Sequence, residues 1–144
     1  MENNLETKSI TAYIDGSYTK DKDYSGYAVV FVKDNCILES ISGCSYKNIK
    51  LQNVTAELTA AMKAVEWAVN RRYSHIMIFH DFMGVSKILS GEWGVKNPFT
   101  RFYKEFMEKK SKKINISFGF VKSHSGDIYN EIADKLARAC GSAI

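Results

Sequence analysis

The hydrophobic pattern of this chain changes period part-way along, and that change limits the possible fold more than any other feature. From Ser9 to Asp15, apolar Ile10, Ala12 and Ile14 alternate with Thr11, Tyr13 and Asp15, the period of a half-buried strand. The polar stretch from Gly16 to Ser25 reads as a long turn. A β-rich run from Gly26 to Val32, a turn at Lys33, Asp34 and Asn35, and a third run from Cys36 to Ser45 follow. Three successive strands with short links predict an antiparallel meander.

Between Thr55 and Arg72 the period becomes helical, with Leu58, Ala61, Met62, Val65 and Val69 on one stripe and Asn53 or Thr55 as the cap. The run HIMIFHD then suits a buried strand closed by Asp81. Met83 to Ser90 predicts a short helix ended by Gly91 or Gly94. Pro98 suits the first turn of another helix reaching about Lys110, with Phe99, Phe102, Phe106 and Met107 on its apolar side. Ile114 to Val121 alternates as a strand, and the loop KSHSGD leads into a last helix bearing Ile128, Ile132, Leu136 and Cys140. The order βββαβααβα predicts an α/β fold: a mixed sheet whose later strands run parallel, with helices on both faces.

The chain has 144 residues, 45% of them hydrophobic, enough for one full core and no more. We therefore expect an N-terminal tail over 1–8 and a single domain over 9–144. A formal charge of +4 favours a phosphate-bearing partner without demanding one. Cys36, Cys44 and Cys140 have neither CxxC spacing nor an even count, and no histidine pair suited to zinc accompanies them. That usage fits reduced cysteines in the cytoplasm. No apolar run has the length of a signal segment or a membrane span, which argues against secretion and membrane insertion.

Four acids stand out by position. Asp15 and Asp81 end two predicted strands, Glu57 lies in the first turn of a helix, and Asp134 lies inside the last helix. Strand ends of open α/β sheets are where ligands bind. If the first and fourth strands are parallel neighbours, Asp15 and Asp81 become neighbours too, with Glu57 and Asp134 reaching in from helices. Like charges brought so close raise one another's pKa and cost stability unless a cation compensates. A hard divalent ion suits an all-oxygen set better than zinc does. Two such ions can activate water and stabilise the leaving oxygen in a phosphoryl displacement, and no Ser–His–Asp or Cys–His arrangement competes. Taken singly, each acid has a plainer reading: Glu57 complements a helix dipole, and Asp15 begins a turn.

Four segments together carry a resemblance: YIDGS at Tyr13 to Ser17, TAELTAA at Thr55 to Ala61, the strand ending at Asp81, and HSGDIYNEIADKLA from His124 to Ala137. In that order, each on its expected element, they resemble the ribonuclease H type 1 family from about Ile10 to Ala139. The resemblance implies a five-stranded mixed sheet. It also implies a site of Asp15, Glu57, Asp81 and Asp134 holding two magnesium or manganese ions. The implied activity is hydrolysis of the RNA strand of an RNA–DNA hybrid, leaving 5′-phosphate and 3′-hydroxyl ends. His124 would assist proton transfer or product departure. Gly16, Ser17 and Asn53 would touch the RNA near the cut, where the ribose 2′-hydroxyl distinguishes RNA from DNA.

The chain departs from the family in two places. Phe82, Met83 and Gly84 after Asp81 lack a polar residue that many members turn to the substrate. The stretch from Gly91 to Lys113 is too short for the basic protrusion by which some members grip hybrid, a role Lys109, Lys110, Lys112 and Lys113 would partly replace. No protein partner is evident, and a monomer is expected. Two other readings stand beside the nuclease: a hybrid-binding module without chemistry, and a nuclease of the same fold acting on DNA or structured RNA.

Overall fold

Asp34 and Asn35 both take left-handed backbone, with φ of 54° and 63°, and so close a two-residue hairpin whose twist matches its strands. The hairpin joins β2 (Tyr24–Lys33) to β3 (Cys36–Tyr46), following β1 (Ser9–Ser17). After the meander come α1 (Val54–Asn70), β4 (His75–His80), α2 (Gly84–Ser90), α3 (Pro98–Lys110), β5 (Asn115–Phe120) and α4 (Ile128–Arg138). This computed structural model describes residues 8–17, 24–46, 54–92, 94, 98–122 and 126–140. The element order is the one expected from the sequence.

The five strands form one sheet in the order β3-β2-β1-β4-β5. The first three are antiparallel, whereas β1 runs parallel to β4, and β4 to β5. The C-terminal ends of β1 and β4 therefore lie side by side, as the placement of Asp15 and Asp81 requires. β1 continues two residues past its expected end, because Gly16 and Ser17 pair with Tyr27 and Gly26.

Alternation along the strands divides the core. Ile10, Ala12, Ile14, Val29, Phe31, Ile76 and Ile78 face α1 and its neighbours, where Trp67 stacks on Phe31 with ring centroids 3.8 Å apart. On the opposite face Val30 and Val32 pack against Ala133 of α4, flanked by Tyr13, Tyr129, Ile132 and Leu136. Burial at these positions supplies the main stabilisation, roughly 1.5–3 kcal/mol for each large aliphatic side chain.

Three expectations need correction. On α3 the buried aromatic is Tyr103, whereas Phe102 is exposed, since residues one apart on a helix point about a quarter-turn or more apart. Ile128, in the first turn of α4, is also exposed. Cys44 and Cys140 are joined in a disulfide, with Cα atoms 5.4 Å apart, while Cys36 stays free and exposed. Their spacing in sequence hid this pairing because the sheet register makes it: Cys44 stands opposite Gly26, and Gly26 lies beneath Cys140. Among the described residues, no helix is long and apolar enough to cross a membrane.

Candidate metal centre

Asp15 stands on the α4 face of β1, in alternation with Tyr13 and Ser17, where the strand nears its end. Glu57 belongs to α1 on the opposite face, in the helix's first turn. The two meet because Gly16 has no side chain: a Cβ there would lie 2.7 Å from the Glu57 amide nitrogen and 3.0 Å from the Ala56 Cβ. That close approach lets the start of α1 ride over the rim of β1. Asp81 follows the last residue of the parallel neighbour β4. Carboxylate oxygens of Asp15, Glu57 and Asp81 consequently lie within 4.8 Å of one another.

The cluster is both crowded and dry. Glu57 and Asp15 are buried, while Asp81 is half-buried. Burial, and then the Asp81 charge, pushes Asp15 up to about 7, partly opposed by the Gly16 amide, which donates to Asp15 Oδ1 at 2.9 Å. Burial, followed by the charges of Asp15 and Asp81, holds Glu57 well above the ordinary carboxylate range. Both shifts have the sign expected of desolvated like charges sharing one site. One observation points to a cation: among the described residues, no group hydrogen-bonds the buried Glu57 Oε2. A buried acceptor without a partner is costly, and an all-oxygen set with a spare lone pair fits a hard divalent cation such as magnesium or manganese.

Asp134 stands at the edge of this group. It lies on α4, near enough to hydrogen-bond Asp15, and it pairs with Arg138 one turn on at 3.0 Å. The helix that carries it starts at a well-made cap, in which the Asp127 side chain accepts from the amides of Tyr129 and Asn130. Ser17 Oγ donates to the Ala137 carbonyl at 3.0 Å, tying the rim of β1 to the same helix. Of the other expected site residues, Gly16 and Ser17 border Asp15, while Asn53 and His124 lie outside the described residues.

Two supporting residues escaped the sequence reading. His80 is buried, and its Nδ1 lies 3.0 Å from the Phe82 carbonyl, bracing the turn that carries Asp81. Burial lowers its pKa against the opposing pull of that carbonyl, so the ring is neutral and donates to it. The period-two run through Ile76 and Ile78 was the available signal, because it places His80 on the core face. Tyr103 is the second: fully buried, it donates to the Val85 carbonyl at 2.6 Å and feels the charge of Glu57. It ties α3 to α2 close behind the acids.

Lys109, Lys110, Lys112 and Lys113 sit elsewhere. They precede Asn115, which pairs with His75 at the start of β4, so a six-residue strand of about 20 Å separates them from Asp81. Lys109 and Lys110, in the last turn of α3, complement the helix dipole.

A family model described as RNase H matches residues 7–141. Among solved structures, RNase H1 from the halophilic archaeon Halobacterium salinarum NRC-1 is similar at 23% identity and a TM-score of 0.80, covering 94% of this chain and 99% of that one. The N-terminal RNase H domain of Rv2228c from Mycobacterium tuberculosis is similar at 19% identity and a TM-score of 0.80, over 95% and 96% of the two chains. LC11-RNase H1, solved in complex with an RNA/DNA hybrid, is similar at 18% and 0.77, over 93% and 97%. These structural likenesses are of fold. No curated protein matches the chain.

Proposed function

The chain belongs to the RNase H family, and from that premise we propose that it is an endoribonuclease hydrolysing the RNA strand of RNA–DNA hybrids, leaving 5′-phosphate and 3′-hydroxyl ends. The observation that carries this reading is the meeting of Asp15, Glu57 and Asp81 within 4.8 Å, with a buried Glu57 oxygen that no described residue hydrogen-bonds. The similar fold of an RNase H1 solved with an RNA/DNA hybrid supports the choice of substrate.

In this reading Asp15, Glu57, Asp81 and Asp134 hold two magnesium or manganese ions. Bound there, the ions supply an activated water and a counter-charge for the leaving oxygen. The protein's own contribution is placement. Gly16 lets Glu57 reach Asp15, and the Gly16 amide fixes the Asp15 carboxylate. His80 holds the turn behind Asp81. Ser17, tied to α4 through Ala137, presents with Gly16 the rim on which the RNA strand lies, and Asn53 is assigned a contact with the same strand. His124, which precedes α4 in the sequence, is assigned proton transfer or product departure.

Residues 91–97 alone join α2 to α3, and the lysines at the end of α3 lie about 20 Å of strand from Asp81. Grip on the hybrid therefore rests on the rim itself, without a basic protrusion. We place the protein in the cytoplasm as a monomeric domain over 9–144. The test compares labelled RNA–DNA hybrid, duplex DNA, duplex RNA and single strands, each with magnesium, with manganese and with chelator. Cleavage confined to the RNA of the hybrid and lost with chelator is expected. Equal cutting of duplex DNA contradicts the substrate, and tight binding without cleavage in either metal contradicts the chemistry.

A further inference from the structure

The last turn of α4 rests on one row of paired residues. Ser17, Gly26 and Cys44 stand opposite one another across β1, β2 and β3. Over Ser17 lies the Ala137 carbonyl, which accepts its hydroxyl. Over Gly26 lie that same carbonyl and Cys140, so close that a Cβ on Gly26 would stand 2.6 Å from the Cys140 Cβ. Over Cys44 lies Cys140 itself, covalently attached. The start of the helix is held separately, by its Asp127 cap and by Tyr129, whose hydroxyl donates to the Asn35 carbonyl at 2.9 Å. Asp134 falls between these two anchorages.

We propose that the Cys44–Cys140 disulfide is a redox-switched clamp that sets how firmly α4 presents Asp134 and Ser17 to the acidic rim. Three observations carry this. Cys44 is exposed on the edge strand β3, so a reductant has access to it. The bond closes a loop spanning 96 residues of sequence, so its loss releases much chain entropy. Its helix partner lies two residues past Arg138, the residue that pairs with Asp134. In reducing compartments, disulfides that do form are mostly transient or regulatory.

The reductant is a dithiol. One of its thiolates attacks the exposed Cys44 sulfur, the S–S bond breaks, and Cys140 departs as a thiolate that takes up a proton. The second dithiol sulfur then attacks the mixed disulfide and frees Cys44 as a thiol. Two electrons and two protons have passed to the protein, and the dithiol leaves as its own disulfide. The reduced helix keeps its cap and its packing on Val30 and Val32, and its last turn keeps the packing of Leu136 and Ala137 and the hydroxyl of Ser17 but loses its covalent tie to β3. The sheet and the other helices are untouched.

The catalytic consequence rests on Asp134 being a metal ligand; the structural one does not, and the experiment separates them. The intact protein is compared oxidised and after dithiothreitol, beside Cys44→Ser and Cys36→Ser variants. Readouts are alkylatable thiols, amide hydrogen exchange along α4, and the magnesium concentration for half-maximal cleavage. The oxidised protein should expose one thiol, that of Cys36, and the reduced protein all three cysteines. Exchange at 136–140 should quicken about tenfold or more on reduction, and by more than the general quickening seen in α1. The magnesium requirement should rise severalfold. Cys36→Ser should respond as the parent does, and Cys44→Ser should match the reduced parent with or without dithiothreitol.

Three alkylated thiols before reduction, or equal exchange in α4 before and after, overturn the clamp. Faster exchange with an unchanged magnesium requirement overturns the link to Asp134, and with it the switch. Absence of cleavage in both states contradicts the nuclease reading, and exchange still decides the clamp.

Discussion

Gly16 and Glu57 touch backbone to backbone, at a separation that leaves no room for a methyl group between them. This contact joins the end of β1 to the start of α1, while the neighbouring Asp15 points to the other face of the sheet. It is the reason an acid from α1 reaches acids from β1 and β4.

Replacing Gly16 with Ala forces that junction apart, since the new Cβ would stand 2.7 Å from backbone that has nowhere flexible to move. A loss of about 1–3 kcal/mol in stability is expected, typical of overpacking. Urea denaturation measures it, and divalent-dependent cleavage should fall further than the stability change explains. Unchanged midpoint and unchanged cleavage would show that the junction does not set the site.

The acids also predict how stability follows pH. Asp15 has a folded pKa of about 7, above its ordinary value of 3.8, and Glu57 is raised as well. A raised acid favours the folded state while protonated. Its contribution is complete below the unfolded pKa and is lost as pH climbs through the folded one. Without metal the protein should therefore lose stability between about pH 4 and pH 7, at up to about 1.4 kcal/mol per pH unit for each proton released. Magnesium should raise the melting temperature more at pH 8 than at pH 5, and Asp15→Asn should flatten both trends. A metal-free melting temperature that climbs from pH 5 to pH 8 contradicts this.

Tyr103 supports α2 from α3 through one buried hydrogen bond to the Val85 carbonyl. Tyr103→Phe keeps the ring and removes the donor, so about 1 kcal/mol of stability should be lost. Thermal or urea unfolding reads this directly. A variant as stable as the parent would show that the bond contributes nothing net.

Much of this was legible in the residues. Period-two alternation marked the first and last strands, β-rich or apolar runs between turns marked the other three, and the shift to helical spacing at Leu58 marked α1. Asp15 and Asp81 were conspicuous because each closes such a run. Other features depended on contacts between distant segments. Phe102 and Tyr103 are adjacent in sequence, and only packing against α1 and α2 decides which is inside. Cys44 and Cys140 are brought together by strand register and the seat of α4 over Gly26, neither of which leaves a local pattern. The distance of the α3 lysines from Asp81 likewise follows from strand direction.

The central claim is that the rim acids act through bound divalent cations. Asp81→Asn tests it most directly, because Asp81 is only half-buried and the change preserves shape. The measurement is the rate of cleavage of labelled RNA–DNA hybrid in magnesium, with circular dichroism and the melting temperature confirming the fold. A fall of roughly a hundred- to a thousandfold in an intact protein is predicted. A folded Asp81→Asn variant that cuts hybrid at the parent's rate contradicts the account.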